Sequence, residues 1–384
     1  MKRAPRVLVT VGTDASRDTT AGPRRDYAVL ADSLSATILD SRAVERSLLA
    51  RFIRRTIGLP PAQAWLAFTR RGDFDVIVTD GEHVGIPLAF LLRFSRSHVK
   101  HVTIAHRLSA PKKRIFFRMF RVQRRIDGFA LHSRRQYDLA ADDLALGRER
   151  LTLVPYQVDT KFWIPGEVDE QRLVVSAGLE HRDYATLFRA VAGLDTDVVI
   201  GAASHWSRHA HHQDVVPTNV RVGTFDYTEL RALYARAAIV VIPLADVDNQ
   251  AGVTTILEAM AMAKPVIVTQ SLGQTDVVED RRRTARAGTR PRPKSLARLF
   301  AERAQIALEP NGFYVAPGDA DGLRRAIQYL LAHPEERRRL GQEGRALAEN
   351  LFSVEAFARR MRSLVIAVHE ETSILALEPS ASFG

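Results

Sequence analysis

Short runs of β-branched and aliphatic residues alternate along the chain with longer stretches whose apolar positions recur every three or four residues. Val7 to Val11, Val76 to Thr79, Val99 to Ile104, Phe129 to Leu131 and Leu151 to Val154 read as buried strands, apolar along their whole length. After Pro165-Gly166 the alternation restarts, with strands expected at Leu173 to Ala177, Val198 to Ile200, Val220 to Val222, Ile239 to Ile242, Val266 to Val268 and Phe313 to Val315. Helical periodicity covers Tyr184 to Val191, Thr228 to Ala237, Thr254 to Ala263, Ala320 to Leu331, Glu335 to Asn350 and Val354 to Glu370, and Pro334 suits a first helical turn. The pattern predicts an α/β protein of two Rossmann-like, doubly wound domains, 1–165 and 166–352.

Two segments depart from it. Arg281 to Lys294 carries too much charge and proline for a buried element and reads as a surface insertion. Between Arg96 and Arg125, Ile115, Phe116, Phe117, Met119, Phe120 and Val122 interleave with Lys112, Lys113, Arg114, Arg118, Arg121, Arg124 and Arg125, the pattern of a basic amphipathic helix. Its apolar residues either face the core or meet an anionic membrane surface. Nucleic acid is not the expected partner, because no recognised module accompanies the charge. The tail from Glu371 to Gly384 has no clear period.

A length of 384 residues suits two domains, and the hydrophobic (46%) and charged (26%) fractions are those of an ordinary globular protein. A net charge of +11 favours an anionic partner. The absence of cysteine excludes disulfides, thiolate metal sites and thiol nucleophiles. The apolar stretch after Met1-Lys2-Arg3 is too short for a signal peptide, and no run approaches the roughly 20 residues of a membrane span, so a cytoplasmic location is expected, with peripheral attachment to the inner membrane face as the variant of it.

The segment from Asp248 to Val268 carries the chemistry. A buried strand turns through Gly252 into a helix, so the amides of Gly252 to Thr255 and the positive end of the helix dipole would face an anion such as a diphosphate. Glu258, on about the first turn, would accept hydrogen bonds from sugar hydroxyls; an ordinary helix start with a solvated glutamate is the alternative.

This block resembles the signature of the retaining glycosyltransferases of family 4 (group 1), in which two glutamates eight positions apart precede Ala-Met-Ala and a Pro-Val-Ile strand. Glu258-Ala-Met-Ala and Lys264-Pro-Val-Ile267 match it; Gly273-Gln-Thr-Asp-Val-Val278, Asn311 to Asp319 and Leu153 to Phe162 follow the family's pattern in order. The resemblance implies the GT-B architecture, two Rossmann-like domains facing a central cleft, with the helix at about 354–370 packing back on the first. It also implies transfer of a hexose from a nucleotide-diphosphate sugar to a hydroxyl of a saccharide, lipid-linked or small-molecule acceptor, with retention and without a metal or other cofactor, in glycan, glycolipid or natural-product glycoside synthesis.

The family's first glutamate is here Gln250. Of the arginine and lysine that usually follow the first strand of the second domain, only Arg182 stands in place, at the lysine position, and it becomes the expected phosphate-neutralising cation. Glu180, His181, Gln250, Ala251, Val253, Thr254 and Phe225 join Gly252 and Thr255 as expected donor-binding residues, and His106, at the end of a first-domain strand, takes the place of a histidine that faces the reacting sugar. Arg182, Glu258 and His106 are the expected catalytic set.

Asp-x-Asp pairs at Asp73/Asp75, Asp195/Asp197, Asp246/Asp248 and Asp319/Asp321 are too frequent to mark a metal site, and the histidine-rich string from His205 to His212 lacks a supporting shell. A sugar-nucleotide epimerase or hydrolase on the same fold, or a silent nucleotide-binding partner protein, are the alternatives, the second motivated by Gln250.

Overall fold

A computed structural model of the chain describes residues 3–15, 22–108, 111–202, 216–280 and 294–377. The histidine-rich string, the basic insertion up to residue 293 and the tail from 378 onward lie outside the described residues. The chain divides into two compact units, one formed by 1–20, 24–155 and 354–384, the other by 21–23 and 156–353.

In the first unit the order is β1 (Val7–Thr10), α1 (Asp26–Leu34), β2 (Thr37–Leu39), α2 (Ser41–Glu45), α3 (Leu48–Thr56), α4 (Leu59–Thr69), β3 (Val76–Thr79), α5 (Glu82–Arg93), β4 (Lys100–Ala105), α6 (Pro111–Arg118), β5 (Gly128–Leu131), α7 (Arg134–Asp138) and β6 (Leu151–Leu153). The strands form one parallel sheet in the order β2-β1-β3-β4-β5-β6. The C-terminal helix Val354–Glu370 packs on one face, where Phe357, Met361, Leu364 and Val365 join the core under Val9, Val78 and Val102; α4 and α5 cover the other through Ala64, Ala67, Leu88 and Leu92. Burial on both faces is why these strands read as continuous apolar runs. The short β2, with only Leu39 fully buried, has no such run and escapes a reading by periodicity.

The second unit runs β7 (Leu173–Ala177), α8 (Tyr184–Val191), β8 (Asp197–Gly201), β9 (Val220–Gly223), α9 (Tyr227–Arg236), β10 (Ile239–Ile242), α10 (Val253–Ala261), β11 (Val266–Thr269), α11 (Leu296–Ala304), β12 (Gly312–Val315), α12 (Ala320–Ala332) and α13 (Pro334–Leu351). Its parallel sheet has the order β12-β11-β10-β7-β8-β9. The chain builds outward from β7 to one edge, then returns beside it with β10 and builds to the other. Between β7 and β10 the connections leave in opposite directions, which opens a crevice at the carboxyl ends of those two strands.

The boundary between the units falls earlier than the Pro165-Gly166 pair suggests. Residues 156–165 belong to the second unit because Trp163, 1% exposed, packs its ring 5.6 Å from that of Tyr234, and Arg345 of α13 donates to the carbonyls of Thr160, Trp163 and Ala261. The amide of Val158 bonds Phe352 O at 2.8 Å, closing the same unit at its other end.

Candidate functional site

The crevice at the β7/β10 switch point is organised by Arg182. The chain leaves β7 through Gly178 (φ +95°), and the loop is then tied to the end of β10 by the amide of Asp183 on Pro243 O (3.1 Å) and that of Ala245 on His181 O (2.9 Å). This folds the guanidinium back over the strand ends. Its Nε donates to Ala177 O (2.9 Å), Nη1 to Glu180 O (2.9 Å) and Nη2 to the Thr255 hydroxyl in the first turn of α10 (3.1 Å). A Cβ at position 178 would strike the guanidinium, so glycine is required there both for its backbone angle and for space.

Gly252 caps α10 with φ +78°, and a Cβ there would lie 2.7 Å from Ile242 Cγ2 and 3.3 Å from Arg182 Nη1. Its absence lets the helix start approach the arginine. Among the described residues no backbone carbonyl accepts the amides of Gly252, Thr254 or Thr255, the unpaired donors that a helix N-terminus carries. A fixed cation and a helix start therefore share one spot, a combination suited to a phosphate group. Burial pulls the Arg182 pKa down, while Tyr184, Tyr234, Glu180 and Glu258 pull it back up.

Glu258 stands in the second turn of α10, one turn further in than the sequence suggests, because the helix begins at Val253. It is buried, and the hydroxyl of the fully buried Tyr234, on α9, donates to its Oε2 at 3.4 Å. Burial pushes the Glu258 carboxyl up to about 8, against the downward pull of the Tyr234 hydrogen bond and the Arg182 charge. At neutral pH this group holds its proton and can both donate to and accept from a hydroxyl. Tyr184, whose hydroxyl donates to Gly178 O at 2.5 Å, completes the wall. Neither tyrosine is legible as a site residue, since each occupies an apolar position of its helix.

The other expected donor-binding residues are spread around this centre. Ala251 is buried and its carbonyl accepts from Gln274 Nε2 at 3.0 Å; the Gln250 amide donates to Asp276 Oδ2 at 2.9 Å. Val253 is buried and Thr254 exposed. The half-buried Phe225 rests against Gly201 and Gly223 at the ends of β8 and β9, where a Cβ would meet its ring at 3.4 and 3.2 Å. Glu180 is exposed, and His181, at φ +55°, lies 3.6 Å from its carboxylate. Asp246 spends its carboxylate on the amide of Leu272 (2.9 Å), and among the described residues no group of three or more His, Asp or Glu side chains is gathered that could hold a metal ion.

In the first unit His106 follows β4 directly, and its amide and that of Arg107 donate to the two oxygens of Glu82, at 2.9 and 3.2 Å. Lys113 of α6 donates to the same carboxylate, which is 4% exposed; burial would raise the Glu82 pKa, but the lysine and the amides hold it down at about 2. The His106 ring lies 3.9 Å from Asp80 and 5.0 Å, centroid to centroid, from that of His132. Burial disfavours its protonation, yet Asp80, Glu82 and Asp26 outweigh that and raise its pKa, whereas burial drops His132 to about 3. Asp80 and Glu82, unmarked by any motif, thus set the state and position of His106.

The basic run is not one helix. It comprises β4, α6 and a short 3₁₀ turn at Val122–Arg125, interrupted at Arg121 by a left-handed backbone (φ +46°). Phe117 and Val122 are buried, while Ile115, Phe116, Met119 and Phe120 are exposed together with Phe94, whose ring neighbour Phe90 also contacts Phe120 (5.2 and 5.3 Å). No described helix is long and apolar enough to cross a membrane.

The raised Glu258 pKa has a consequence for stability. Between the ordinary 4.5 of a glutamate and about 8 the folded state holds a proton that the unfolded chain releases, so this group's contribution falls as pH rises through that window. Glu258→Gln, which mimics the protonated acid, is expected to melt close to wild type at pH 5 and to be more stable at pH 9 by on the order of 2 kcal/mol. Melting curves from pH 5 to 9 check this; parallel curves would show that Glu258 does not titrate in that range.

Comparison with known proteins agrees with this geometry. Residues 170–333, most of the second unit, match the family described as glycosyl transferases group 1. The chain is 26% identical over 332 residues to the MMP alpha-(1->4)-mannosyltransferase of Mycolicibacterium hassiacum, a match covering 79% of this chain and 72% of that one. Among solved structures, a glycosyltransferase from Rickettsia africae superposes with TM-score 0.64 at 13% identity, covering 95% of this chain and 99% of its own. Sucrose-phosphate synthase from Thermosynechococcus elongatus superposes with TM-score 0.65 at 16% identity (96% and 100%), and the Anabaena HepE protein, crystallised with UDP and glucose, with 0.64 at 13% (94% and 100%). The second unit thus carries the match to the group 1 glycosyltransferases, and the protein is a glycosyltransferase of GT-B fold.

Proposed function

We propose that the enzyme transfers a hexosyl group from a nucleoside-diphosphate sugar to an acceptor hydroxyl with retention of configuration and without a metal ion. The observation that carries this reading is Arg182, fixed by three hydrogen bonds beside the amides of Gly252, Thr254 and Thr255, which meet no acceptor among the described residues. As the bond from the sugar to the diphosphate breaks, negative charge grows on the leaving oxygens. A cation and amide dipoles already aimed there stabilise that charge with little reorganisation, the role a divalent ion plays elsewhere. Glu258, whose carboxyl burial pushes up to about 8, would receive ribose hydroxyls, and Gln250 a hydroxyl of the transferred sugar.

Retention places the acceptor on the face from which the diphosphate departs, so the leaving phosphate can take the acceptor's proton and no side-chain base is needed. In the first unit His106, made more basic by Asp80, is the group we assign to hydrogen-bonding a sugar hydroxyl. The mannosyltransferase relative and the UDP-bound neighbour nominate GDP-mannose and UDP-glucose as the first donors to try.

One surface feature bears on the acceptor. Exposed Ile115, Phe116, Met119 and Phe120 stand among exposed Arg118, Arg121 and Arg124, an apolar patch set in positive charge that fits an anionic lipid surface and a lipid-linked acceptor.

Transfer from radiolabelled donors to an oligosaccharide panel in EDTA, with the anomeric configuration of the product read by NMR, tests the main reading. Retained configuration is expected, with Arg182→Ala lowering kcat by about a hundredfold or more. Inversion, or strict dependence on added magnesium, would contradict it. Co-sedimentation with phosphatidylglycerol vesicles tests the surface: binding should fall at least several-fold for Phe116→Ser/Met119→Ser/Phe120→Ser and be absent with neutral phosphatidylcholine. Equal recovery of wild type and variant would remove the lipid reading.

A further inference from the structure

Gln250 stands where the resemblance implies a carboxylate, and its surroundings hold one in Asp276. Its Nε2 donates to Asp276 Oδ2 at 2.9 Å, and Asp276 is 3% exposed. With its N–H on Asp276, the amide turns its Oε1 the other way. That Oε1 is buried and meets no donor among the described residues.

It has company. Among the described residues, Asn249 Oδ1 and Gln274 Oε1 are likewise buried acceptors without a donor, and Ser271 Oγ is buried without a partner. All belong to the two loops that follow β10 and β11. Those loops are pressed together: Gly273 N bonds Val247 O at 2.8 Å, and a Cβ at 273 would strike the Asn249 carbonyl. Buried acceptors without donors are costly unless a ligand supplies the donors, and sugar hydroxyls do so.

We infer that Gln250 and Asp276 work as one amide–carboxylate unit, in which Asp276 is a positioning residue that locks the Gln250 carbonyl oxygen toward a hydroxyl of the transferred sugar. This rests on the reading that the second unit binds a nucleotide sugar. The inference opposes the simplest expectation, that Gln250→Glu would restore a better enzyme. A glutamate at 250 would bring two carboxylates to hydrogen-bond distance, and they would repel or be forced to share a proton. One carboxyl group suffices there, and Asp276 already supplies it.

The test is a reciprocal exchange: Gln250→Glu, Asp276→Asn, and the double variant carrying both. Titration measures the Kd of each for UDP, UDP-glucose, GDP and GDP-mannose. Melting temperature without ligand, at pH 6 and pH 8, reads the pair by itself. Each single variant should keep the Kd of the free diphosphate within about twofold of wild type. The ratio of the nucleotide-sugar Kd to the free-diphosphate Kd should rise about tenfold, and the double variant should recover it to within about threefold. Gln250→Glu should melt about 3 °C or more below wild type at pH 8, less at pH 6, and the double variant should regain the loss.

A purely structural pair would move the melting temperature while leaving the ratio unchanged, and that result overturns the positioning role. Effects that simply add in the double variant, or Gln250→Glu binding nucleotide sugar as well as wild type, overturn it too. If wild type binds none of the four probes, the donor-site reading on which this role depends fails with it, whatever the melting temperatures show.

Discussion

Everything in the second unit turns on holding one guanidinium at the place where the sheet changes direction. Arg182 cannot reach the first turn of α10 unless the loop after β7 folds back, and that fold requires Gly178, the ties to Pro243 and Ala245, and a helix start with no Cβ at 252. The switch point explains why there is room. β7 and β10 are neighbours in space but their following connections diverge, so the strand ends expose backbone and leave a crevice. A cation held by three hydrogen bonds in partial burial keeps its geometry with no ligand present, and preorganisation of this kind lets positive charge act on a breaking bond.

The same burial shapes its neighbours. Glu258 and Tyr234 lie close enough to Arg182 to feel its charge, yet for both, desolvation is the larger effect and raises their pKa. Both groups beside the guanidinium are thereby biased toward their neutral forms, which suits an incoming diphosphate. In the first unit the balance is the reverse. Glu82 remains ionised because Lys113 and two amides converge on it, and Asp80 favours the charged form of His106.

Much of this was legible in the sequence. The doubly buried strands announced themselves as apolar runs, and β3, β7 and β10 begin and end where periodicity puts them. The turn at Gly252 followed from a strand–glycine–helix pattern, and a resemblance to a known block singled out Arg182, which the structure places beside that turn. What stayed hidden has physical reasons. Tyr234 and Tyr184 occupy apolar helical positions, so their hydroxyls look incidental until the partners are seen. Asp276, Asp80 and Glu82 act on residues far from them in the chain, and no local pattern records that. The basic run read as one helix because helical periodicity does not register the left-handed backbone at Arg121, and Trp163 shifts the unit boundary because burial outweighs the break that Pro165-Gly166 suggests.

The central claim is that the start of α10, together with Arg182, receives the diphosphate. Amide hydrogen exchange at residues 252–255, followed in EDTA with and without a nucleoside diphosphate, tests it most directly. The account predicts slowed exchange at Gly252, Thr254 and Thr255 with the diphosphate, much less with the monophosphate, and none of it in Arg182→Ala. Bound diphosphate with unchanged exchange at those amides would contradict the account and move the phosphate site elsewhere in the protein.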